Sequence, residues 1–307
     1  MVSRRTVLGT AAAAGLTATL AGAQPRAATP RFLLDYAPHE GSFASRGGLL
    51  EQVAYAADQG FRAWEGNEAT ARPVAEQVAL GNELRRRGMR MGVFVASMPR
   101  WAQSRPLLGG NDEADRDGFL ADIRGSIEVA KRLDAKWMTV VTGFTDPRLP
   151  IDLQTARVVD AMRRAAEIVA PHGLVLVMEP LNTLVNHPGA FMRTVTQGYA
   201  VARAVDSPAV KVLADLYHEQ IQAGNLIRTL ETCWDEIGYI QFGDNPGRNE
   251  PRTGEINYAN IVRWLHERRY AGVIGMEHGN SAKGRAGEER LVAAYRAIDR
   301  AATGEGL

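Results

Sequence analysis

The segment Leu174-Val-Leu-Val-Met-Glu179 is an apolar run that ends in a carboxylate, and Pro180 follows it directly. Such a run is typical of a β-strand, and the proline predicts that the strand stops there because proline cannot donate a ladder hydrogen bond. Three later segments also carry an oxygen donor at or near their carboxyl end. They are Val210-Lys-Val-Leu-Ala-Asp215, Gly238-Tyr-Ile-Gln241-Phe and Gly272-Val-Ile-Gly-Met-Glu277.

The four donors Glu179, Asp215, Gln241 and Glu277 follow one another at intervals of 36, 26 and 36 residues. Successive strand-plus-helix units of a parallel barrel give this kind of spacing, and all of their strands end at the same mouth. The loops at that mouth build the active site of such barrels. The spacing therefore predicts that the four side chains meet in one site.

Eight β-rich apolar segments alternate with helical patterns along the chain. The strand segments are residues 31–36, 61–65, 90–96, 137–142, 174–179, 210–215, 238–242 and 272–277. Between them, residues 48–59, 74–87, 115–133, 153–170, 258–268 and 287–301 repeat apolar positions every three or four residues, as helices packed on a barrel do. Several helices are predicted to end at a glycine just before a strand, as at Gly60, Gly88 and Gly173.

This order of elements predicts an α/β fold, a closed (β/α)8 TIM barrel that forms a single domain. The alternative is an open, doubly wound parallel sheet. A glycine-rich dinucleotide motif after the first strand and a phosphate-binding loop are both absent from the sequence, and this weakens the alternative.

The first 23 residues are predicted to be separate from the barrel. Ser3-Arg4-Arg5-Thr6-Val7-Leu8 runs into an alanine-rich apolar stretch, and Ala21-Gly22-Ala23 provides a cleavage pattern of small residues. This pattern looks like a twin-arginine export signal over residues 1–23, with a periplasmic barrel over residues 24–307. The apolar stretch is too short and too rich in Gly, Ala and Thr for a stable membrane span.

Charge and cysteine content exclude several classes of protein. The whole chain has a formal net charge of +1, which becomes −1 when Arg4 and Arg5 leave with the predicted signal. A chain with this balance has no strong attraction for nucleic acid or for an anionic membrane surface. The single cysteine, Cys233, cannot form an internal disulfide, and its surroundings predict a buried residue in a helix.

The four donors together favour a divalent metal site. Taken singly, a carboxylate at the end of a strand is more often a loop-capping acceptor than a ligand. Three carboxylates at one mouth would repel one another unless a cation neutralised them or some became protonated. A shell of carboxylate and amide oxygens suits Mn²⁺ or Mg²⁺, with Co²⁺ as a further candidate, and four protein ligands leave two octahedral positions open for water or substrate.

Three motifs resemble the hydroxypyruvate isomerase family of the xylose-isomerase-like TIM barrels. They are Glu179-Pro-Leu-Asn-Thr, Asp215-Leu-Tyr-His-Glu-Gln, and the long, specific stretch Tyr239-Ile-Gln-Phe-Gly-Asp-Asn-Pro-Gly-Arg-Asn-Glu-Pro-Arg-Thr-Gly-Glu-Ile-Asn-Tyr258. The resemblance implies a metal-dependent isomerase of hydroxypyruvate or a small keto-sugar, with Glu179, Asp215, Gln241 and Glu277 as metal ligands. Ketose epimerases of the superfamily usually have His where this chain has Gln241, so the glutamine points to the hydroxypyruvate branch.

The implied chemistry is an intramolecular oxidoreduction in which a proton moves between adjacent carbons through an enediolate. The cation would polarise the substrate carbonyl and take up charge as the enediolate forms. The resemblance implies that Glu179 and Glu277 act as the acid/base pair. Either of them could be the base.

Four further residues are candidates for substrate binding. His218 lies one turn after Asp215, and Arg248 could form a forked pair with a carboxylate or with two hydroxyls. Glu65 ends the second predicted strand, and His187 lies in a loop that departs from the family pattern, in which an arginine usually follows Asn-Thr. A helix-capping imidazole or a solvated cation is the alternative for such residues.

Other functions stay open at this stage. A periplasmic enzyme could act as a lyase or epimerase on an oxidised sugar or keto-polyol, since loss of a leaving group beta to the deprotonated carbon gives elimination. The same barrel could also bind a sugar without turning it over, but the retained donors argue against this. DNA repair would need a histidine-rich multi-zinc site and a basic face, and the sequence has neither. The expected partner is a small molecule, and related barrels often form homo-oligomers.

Overall fold

The structure is a computed structural model that describes residues 31–96 and 105–304. Residues 1–23, the predicted export signal, lie outside the described residues, so export stays a prediction. Among the described residues, no helix combines the length and the apolar character needed to cross a membrane.

The strands form a parallel barrel, which confirms the predicted fold. The described part of the chain contains nine strand segments: β1 (Asp35–Ala37), β2 (Ala63–Trp64), β3 (Arg90–Met91), β4 (Val93–Val95), β5 (Trp137–Val140), β6 (Val175–Met178), β7 (Val210–Asp215), β8 (Ile237–Gln241) and β9 (Val273–Gly275). They pair in the order β1-β9-β8-β7-β6-β5-β4, and β2 pairs with β3. Since β3 and β4 are two parts of one strand interrupted at Gly92, and a parallel bridge joins His39 to Glu65, the ring of eight strands closes.

The first strand begins later than the sequence predicted. Residues 31–36 were expected to be extended, but pairing starts at Asp35. Upstream, the Leu33 N–H donates to Asp299 Oδ2 at 2.7 Å, and the Tyr36 hydroxyl donates to Asp299 Oδ1 at 2.7 Å. Because the Leu33 N–H donates to Asp299, the backbone before Asp35 is bonded to the last helix and not to a neighbouring strand.

Nine helices surround the barrel. They are α1 (Leu49–Asp58), α2 (Val74–Arg87), α3 (Glu113–Leu133), α4 (Ile151–Val169), α5 (Val195–Val205), α6 (Leu216–Gln222), α7 (Leu226–Thr232), α8 (Tyr258–Glu267) and α9 (Gly284–Thr303), counted over residues 31–96 and 105–304. The predicted helix at residues 74–87 matches α2 at both ends, and the other five predicted helices agree within three residues. Gly88 ends α2 with φ of +64°, a left-handed conformation that glycine adopts without steric cost, as the C-cap pattern predicted.

The barrel lumen is filled by one buried side chain from each of the eight strands. These residues form a single cluster: Ala37, Ala63, Val93, Trp137, Val177, Leu213, Tyr239 and Val273. The two largest members pack against each other, with the Trp137 and Tyr239 ring centroids 5.8 Å apart. A larger apolar cluster lies between the strands and the helices. The lumen is therefore filled by side chains, and any active-site cavity must lie above it at the mouth of the barrel.

Gly92 provides the room that Tyr239 needs inside the barrel, because a Cβ at residue 92 would collide with the Tyr239 hydroxyl oxygen. We predict that Gly92→Ala lowers the free energy of unfolding by about 1–3 kcal/mol, the usual cost of overpacking a core. Denaturant unfolding followed by circular dichroism measures it. In a Tyr239→Phe background, which lacks that oxygen, the same change should cost clearly less. An equal cost in both backgrounds would contradict this explanation.

Candidate metal centre and active site

A second ring of side chains lies above the lumen cluster, and its position follows from strand periodicity. Side chains alternate between the two faces of a strand, so the residue two positions after each lumen residue also points inward. This rule gives the mouth layer, which we define as His39, Glu65, Val95, Thr139, Glu179, Asp215, Gln241 and Gly275. Three of the four predicted ligands belong to the mouth layer. The fourth, Glu277, lies two residues after Gly275, so its side chain points to the same side of the chain as that position.

The amide of Gln241 is held by the carboxyl group of Glu65. The Gln241 Nε2 group donates a hydrogen bond to Glu65 Oε1, and both side chains are buried. The opposite end of the amide, Oε1, is buried and has no hydrogen-bond partner within residues 31–96 and 105–304. Glu65 therefore orients the amide so that its oxygen is the end left unpaired.

Gly275 makes this arrangement sterically possible. A Cβ at residue 275 would collide with Glu65 Oε2 and would lie 2.8 Å from Gln241 Cγ. Because the mouth layer has no side chain at residue 275, the Glu65 carboxylate can occupy that space. The sequence predicted a substrate-binding role for Glu65, and this stays a prediction. In the structure one of its carboxylate oxygens accepts a hydrogen bond from the amide of Gln241.

Asp215 ends β7 and also caps helix α6. Its Oδ1 accepts the N–H groups of Tyr217 at 2.8 Å and of His218 at 3.4 Å. The other oxygen, Oδ2, lies 3.2 Å from an Arg248 nitrogen. One oxygen thus holds the loop in place and the other faces the mouth.

Glu179, Asp215 and His218 converge closely enough to share a cation. Each of the three buried residues offers a donor atom within 4.8 Å of the donor atoms of the other two. The sequence placed Glu179 and Asp215 in the metal site and His218 among the substrate-binding residues. The structure brings all three together, so the imidazole lies at the edge of the ligand cluster.

The side chain of Arg248 lies between the carboxylates of Asp215 and Glu277. One of its terminal nitrogens lies 3.2 Å from Asp215 Oδ2 and 3.2 Å from Glu277 Oε2. Its guanidinium also lies over the Tyr217 ring, 4.8 Å from the centroid. The backbone at Arg248 has φ of +48°, an uncommon conformation for a residue with a side chain. The loop after β8 therefore places a cation between two of the predicted ligands.

Burial and mutual repulsion make the carboxyl groups of the mouth hard to ionise. Burial raises the pKa of Glu179 well above its usual value, and the charges of Glu277 and Asp215 raise it further. Burial raises the pKa of Glu65 in the same way, with the charge of Glu277 as the next cause. Burial raises the pKa of Glu277 to about 7, although Arg248 opposes the shift. If the carboxyl groups at the mouth were all ionised, their negative charge would exceed the single positive charge of Arg248.

The site fits a hard divalent cation on two observations. The unpaired Gln241 Oε1 lacks a donor in the described part of the chain, and the nearby carboxyl groups lack sufficient positive charge. Oxygen ligands of this kind suit Mg²⁺ and Mn²⁺ better than a structural zinc ion, which favours Cys and His. The donor set can therefore accommodate the predicted ion.

His218 is held as a neutral imidazole. Burial lowers its pKa to about 4, although the charge of Asp215 opposes the shift. Its Nδ1 lies 3.3 Å from the Asn182 N–H and 2.5 Å from Asn182 Nδ2, so Nδ1 accepts and the proton belongs on Nε2. That Nε2 lies 3.6 Å from Asp215 Oδ2. Asn182 lies in the motif that begins at Glu179, but no sequence pattern predicted its contact with His218.

A cavity of about 140 Å³ lies over these groups. Its walls include three predicted substrate-binding residues and two predicted ligands: His187, His218, Arg248, Glu179 and Glu277. The His187 and His218 ring centroids are 5.3 Å apart. One small cavity is thus lined by the guanidinium of Arg248, which can bind a carboxylate, by the neutral imidazole of His218 and by two carboxyl groups.

The chain is similar in sequence and in fold to several known proteins. A family model described as xylose isomerase-like TIM barrel matches residues 53–300. The 2-oxo-tetronate isomerase of Pectobacterium atrosepticum is 30% identical over 236 residues, which cover 76% of this chain and 88% of that enzyme. The hydroxypyruvate isomerase of Escherichia coli K12 is 32% identical over 171 residues, which cover 56% of this chain and 64% of that enzyme.

A solved structure supports the same fold. The crystal structure of an AP endonuclease, family 2, from Brucella melitensis matches with a TM-score of 0.74 and 25% identity, covering 85% of this chain and 98% of that chain. The family model spans most of the chain, and two curated relatives are named isomerases. The resemblance seen in the sequence is therefore confirmed, and the chain belongs to the xylose isomerase-like TIM barrel family.

Proposed function

We propose that this protein is a divalent-metal-dependent isomerase of a small 2-oxo acid or keto-sugar that carries a hydroxyl on the next carbon. The observation that carries the proposal is that Glu179 and Glu277 line one small cavity together with Arg248, while Asp215 has a donor atom within 4.8 Å of one of Glu179. Gln241 adds a buried, unpaired Oε1 in the same layer of strand ends. The named activities of the curated relatives, 2-oxo-tetronate isomerase and hydroxypyruvate isomerase, support the same reaction class.

In this proposal the four strand-end residues hold the metal, and His218 lies beside them. Mn²⁺ or Mg²⁺ fits the oxygen donors best, with Co²⁺ as a third candidate. When bound, the ion supplies positive charge that polarises the substrate carbonyl and stabilises the negative charge that develops on its oxygen.

The proton transfer falls to Glu179 and Glu277. One carboxylate removes the proton from the hydroxyl-bearing carbon, and the electron pair of that C–H bond forms the C=C bond of an enediolate. A proton then returns to the former carbonyl carbon, while a second proton moves between the two oxygens. Without a cation, burial raises the pKa of Glu277 to about 7. A divalent ion bound beside it would lower that pKa and favour the carboxylate form, which is the form that accepts a proton.

Arg248 and the two histidines would orient the substrate. The guanidinium can form a forked pair with a substrate carboxylate, which fixes the plane of the adjacent carbonyl. Neutral His218 can donate from Nε2 to a substrate oxygen, since Asn182 occupies Nδ1. These contacts would hold the reacting carbons beside the two glutamates, and positioning of this kind is a large part of catalysis.

Loss of the Glu179 carboxylate should abolish tight metal binding. We predict that Glu179→Gln weakens Mn²⁺ binding to the full-length protein at least tenfold, because one charged ligand is replaced by a neutral one. Isothermal titration with Mn²⁺ measures this change directly. The matched control is Glu167→Gln, which removes an exposed carboxylate from α4 and should leave the affinity unchanged. An equal Mn²⁺ affinity in Glu179→Gln and the unmodified protein would contradict the proposed ligand set.

The reaction class can be read from incubation of the Mn²⁺-loaded protein with hydroxypyruvate and small keto-sugars in deuterated water. We expect an isomer to form and deuterium to become bound to its carbon atoms. Mass spectrometry and NMR detect both changes. Release of a substituent would instead support the lyase alternative, and an inverted centre would support an epimerase. Absence of exchange with every compound would contradict the proposed function and favour a binding role.

A further inference from the structure

The carboxylate of Glu250 is buried against the loop that follows β9. Glu250 is 0% exposed, and it forms no ion pair with any described residue. Its Oε2 accepts the backbone N–H of Ser281 at 2.8 Å, and its Oε1 accepts the Ser281 hydroxyl at 2.5 Å. Burying a carboxylate without a cation is costly, and an apolar side chain would avoid that cost. Since the proposed proton transfer does not use Glu250 either, neither packing nor chemistry accounts for this carboxylate so far.

The two bonds to Ser281 join two loops that carry residues of the site. The Arg248 loop, residues 242–257, follows β8, and the Glu277 loop, residues 277–281, follows β9. Glu250 lies two residues after Arg248, and Ser281 is the last residue of the Glu277 loop. The Glu250 carboxylate therefore connects the loop that supplies the cation to the loop that supplies a proposed metal ligand.

The same junction places the charged groups of the two loops. The Gly279 N–H donates to the carbonyl oxygen of Arg248 at 2.9 Å. Beside this bond, a guanidinium nitrogen of Arg248 lies 3.2 Å from Glu277 Oε2. A shift of one loop relative to the other would change this distance, and a displacement of about 1 Å in an active site can cost about a hundredfold in rate. The alignment of the two loops therefore bears directly on the site.

The Arg248 loop gives Glu250 a firm support. Asp244 is 0% exposed and accepts the N–H groups of Thr253, Gly254 and Ile256 at 3.1, 2.9 and 3.1 Å. The Thr253 hydroxyl donates to the carbonyl oxygen of Glu250 at 2.8 Å. The backbone that carries the Glu250 carboxylate is thus fixed from within its own loop.

The Glu277 loop has other contacts on the side of β1, since β9 lies between β8 and β1 in the barrel. Asn280 Nδ2 donates to the Ser42 carbonyl oxygen at 3.0 Å, and His39 Nε2 lies 3.1 Å from the His278 carbonyl oxygen. Without the Glu250 carboxylate, the Glu277 loop would keep these contacts and lose its side-chain contact with the Arg248 loop. We therefore expect a change in its position and not its unfolding.

We propose that Glu250 is a positioning residue, which fixes the Glu277 loop against the Arg248 loop through Ser281 and so holds Glu277 in place beside Arg248 and the other strand-end donors. As a role in metal binding and catalysis, this inference rests on the proposed function. Glu250 does not line the cavity that contains Glu277 and Arg248, so it acts only through the loop that it holds.

Titration of the full-length protein with Mn²⁺ tests this role. Glu250→Ala removes both bonds to Ser281 and should weaken Mn²⁺ binding about tenfold, the usual cost of losing a group that orients a metal ligand. Glu250→Gln should stay within twofold of the unmodified protein, because its amide can accept the Ser281 N–H and donate to the Ser281 hydroxyl. The matched control is Glu255→Ala, which removes an exposed carboxylate from the same loop and should also stay within twofold. Equal affinities in Glu250→Ala and Glu250→Gln would overturn the proposal.

A double-mutant cycle separates the positioning of Glu277 from general damage to the fold. In a Glu277→Gln background the charged ligand is already lost, so adding Glu250→Ala should lower the Mn²⁺ affinity less than threefold. A further tenfold loss in that background would show that Glu250 does not act through Glu277. If Glu250→Ala does not fold, Ser281→Ala replaces it, because this residue is exposed and loses only the hydroxyl bond. That variant should weaken Mn²⁺ binding about threefold, and an unchanged affinity would contradict the proposal.

Hydrogen exchange gives a readout that needs no metal. Glu250→Ala should speed exchange of the Gly279 N–H at least tenfold, because its bond to the Arg248 carbonyl would open more often, whereas Glu250→Gln should leave it unchanged. Two-dimensional NMR of the ¹⁵N-labelled protein measures this rate. If the unmodified protein binds no Mn²⁺, the proposed metal site fails, and the Gly279 exchange rate still decides whether Glu250 fixes the loop. An unchanged rate in Glu250→Ala would overturn the positioning role even in a protein that binds Mn²⁺.

Discussion

The structure of the mouth depends on one electrostatic constraint: several carboxyl groups are buried in the same small space. Burial and mutual repulsion together raise the pKa of Glu179, Glu65 and Glu277. Such a cluster persists only with compensating positive charge or with bound protons. Arg248 supplies one positive charge between Asp215 and Glu277. The unpaired Gln241 Oε1 indicates where a second positive charge would lie. The fold places this excess of acid where a divalent ion can neutralise it.

Strand periodicity explains why so much of the site could be predicted from the sequence. Inward positions recur every two residues, so the last inward residue of each strand must face the mouth. Glu179, Asp215 and Gln241 were predictable as neighbours on this basis, and the barrel itself was predictable from eight repeated units. The motif between Tyr239 and Tyr258 added the family, which the comparisons confirm. The fold and the donor set thus follow from local patterns.

The remaining features depend on contacts that no local pattern specifies. Glu65 reaches Gln241 only because Gly275 has no side chain, and these residues are far apart in sequence. Arg248 reaches its carboxylates through a loop with a left-handed residue at its centre. The tautomer of His218 depends on Asn182, 36 residues away.

We propose that one divalent cation lies between the strand ends and neutralises the buried carboxyl groups. Anomalous X-ray diffraction from crystals of the protein soaked with Mn²⁺ tests it most directly. We expect one strong anomalous peak within coordination distance of Glu179, Asp215, Gln241 Oε1 and Glu277, that is, about 2.0–2.6 Å for oxygen ligands. A peak elsewhere on the protein, or none at the mouth under saturating Mn²⁺, would contradict it.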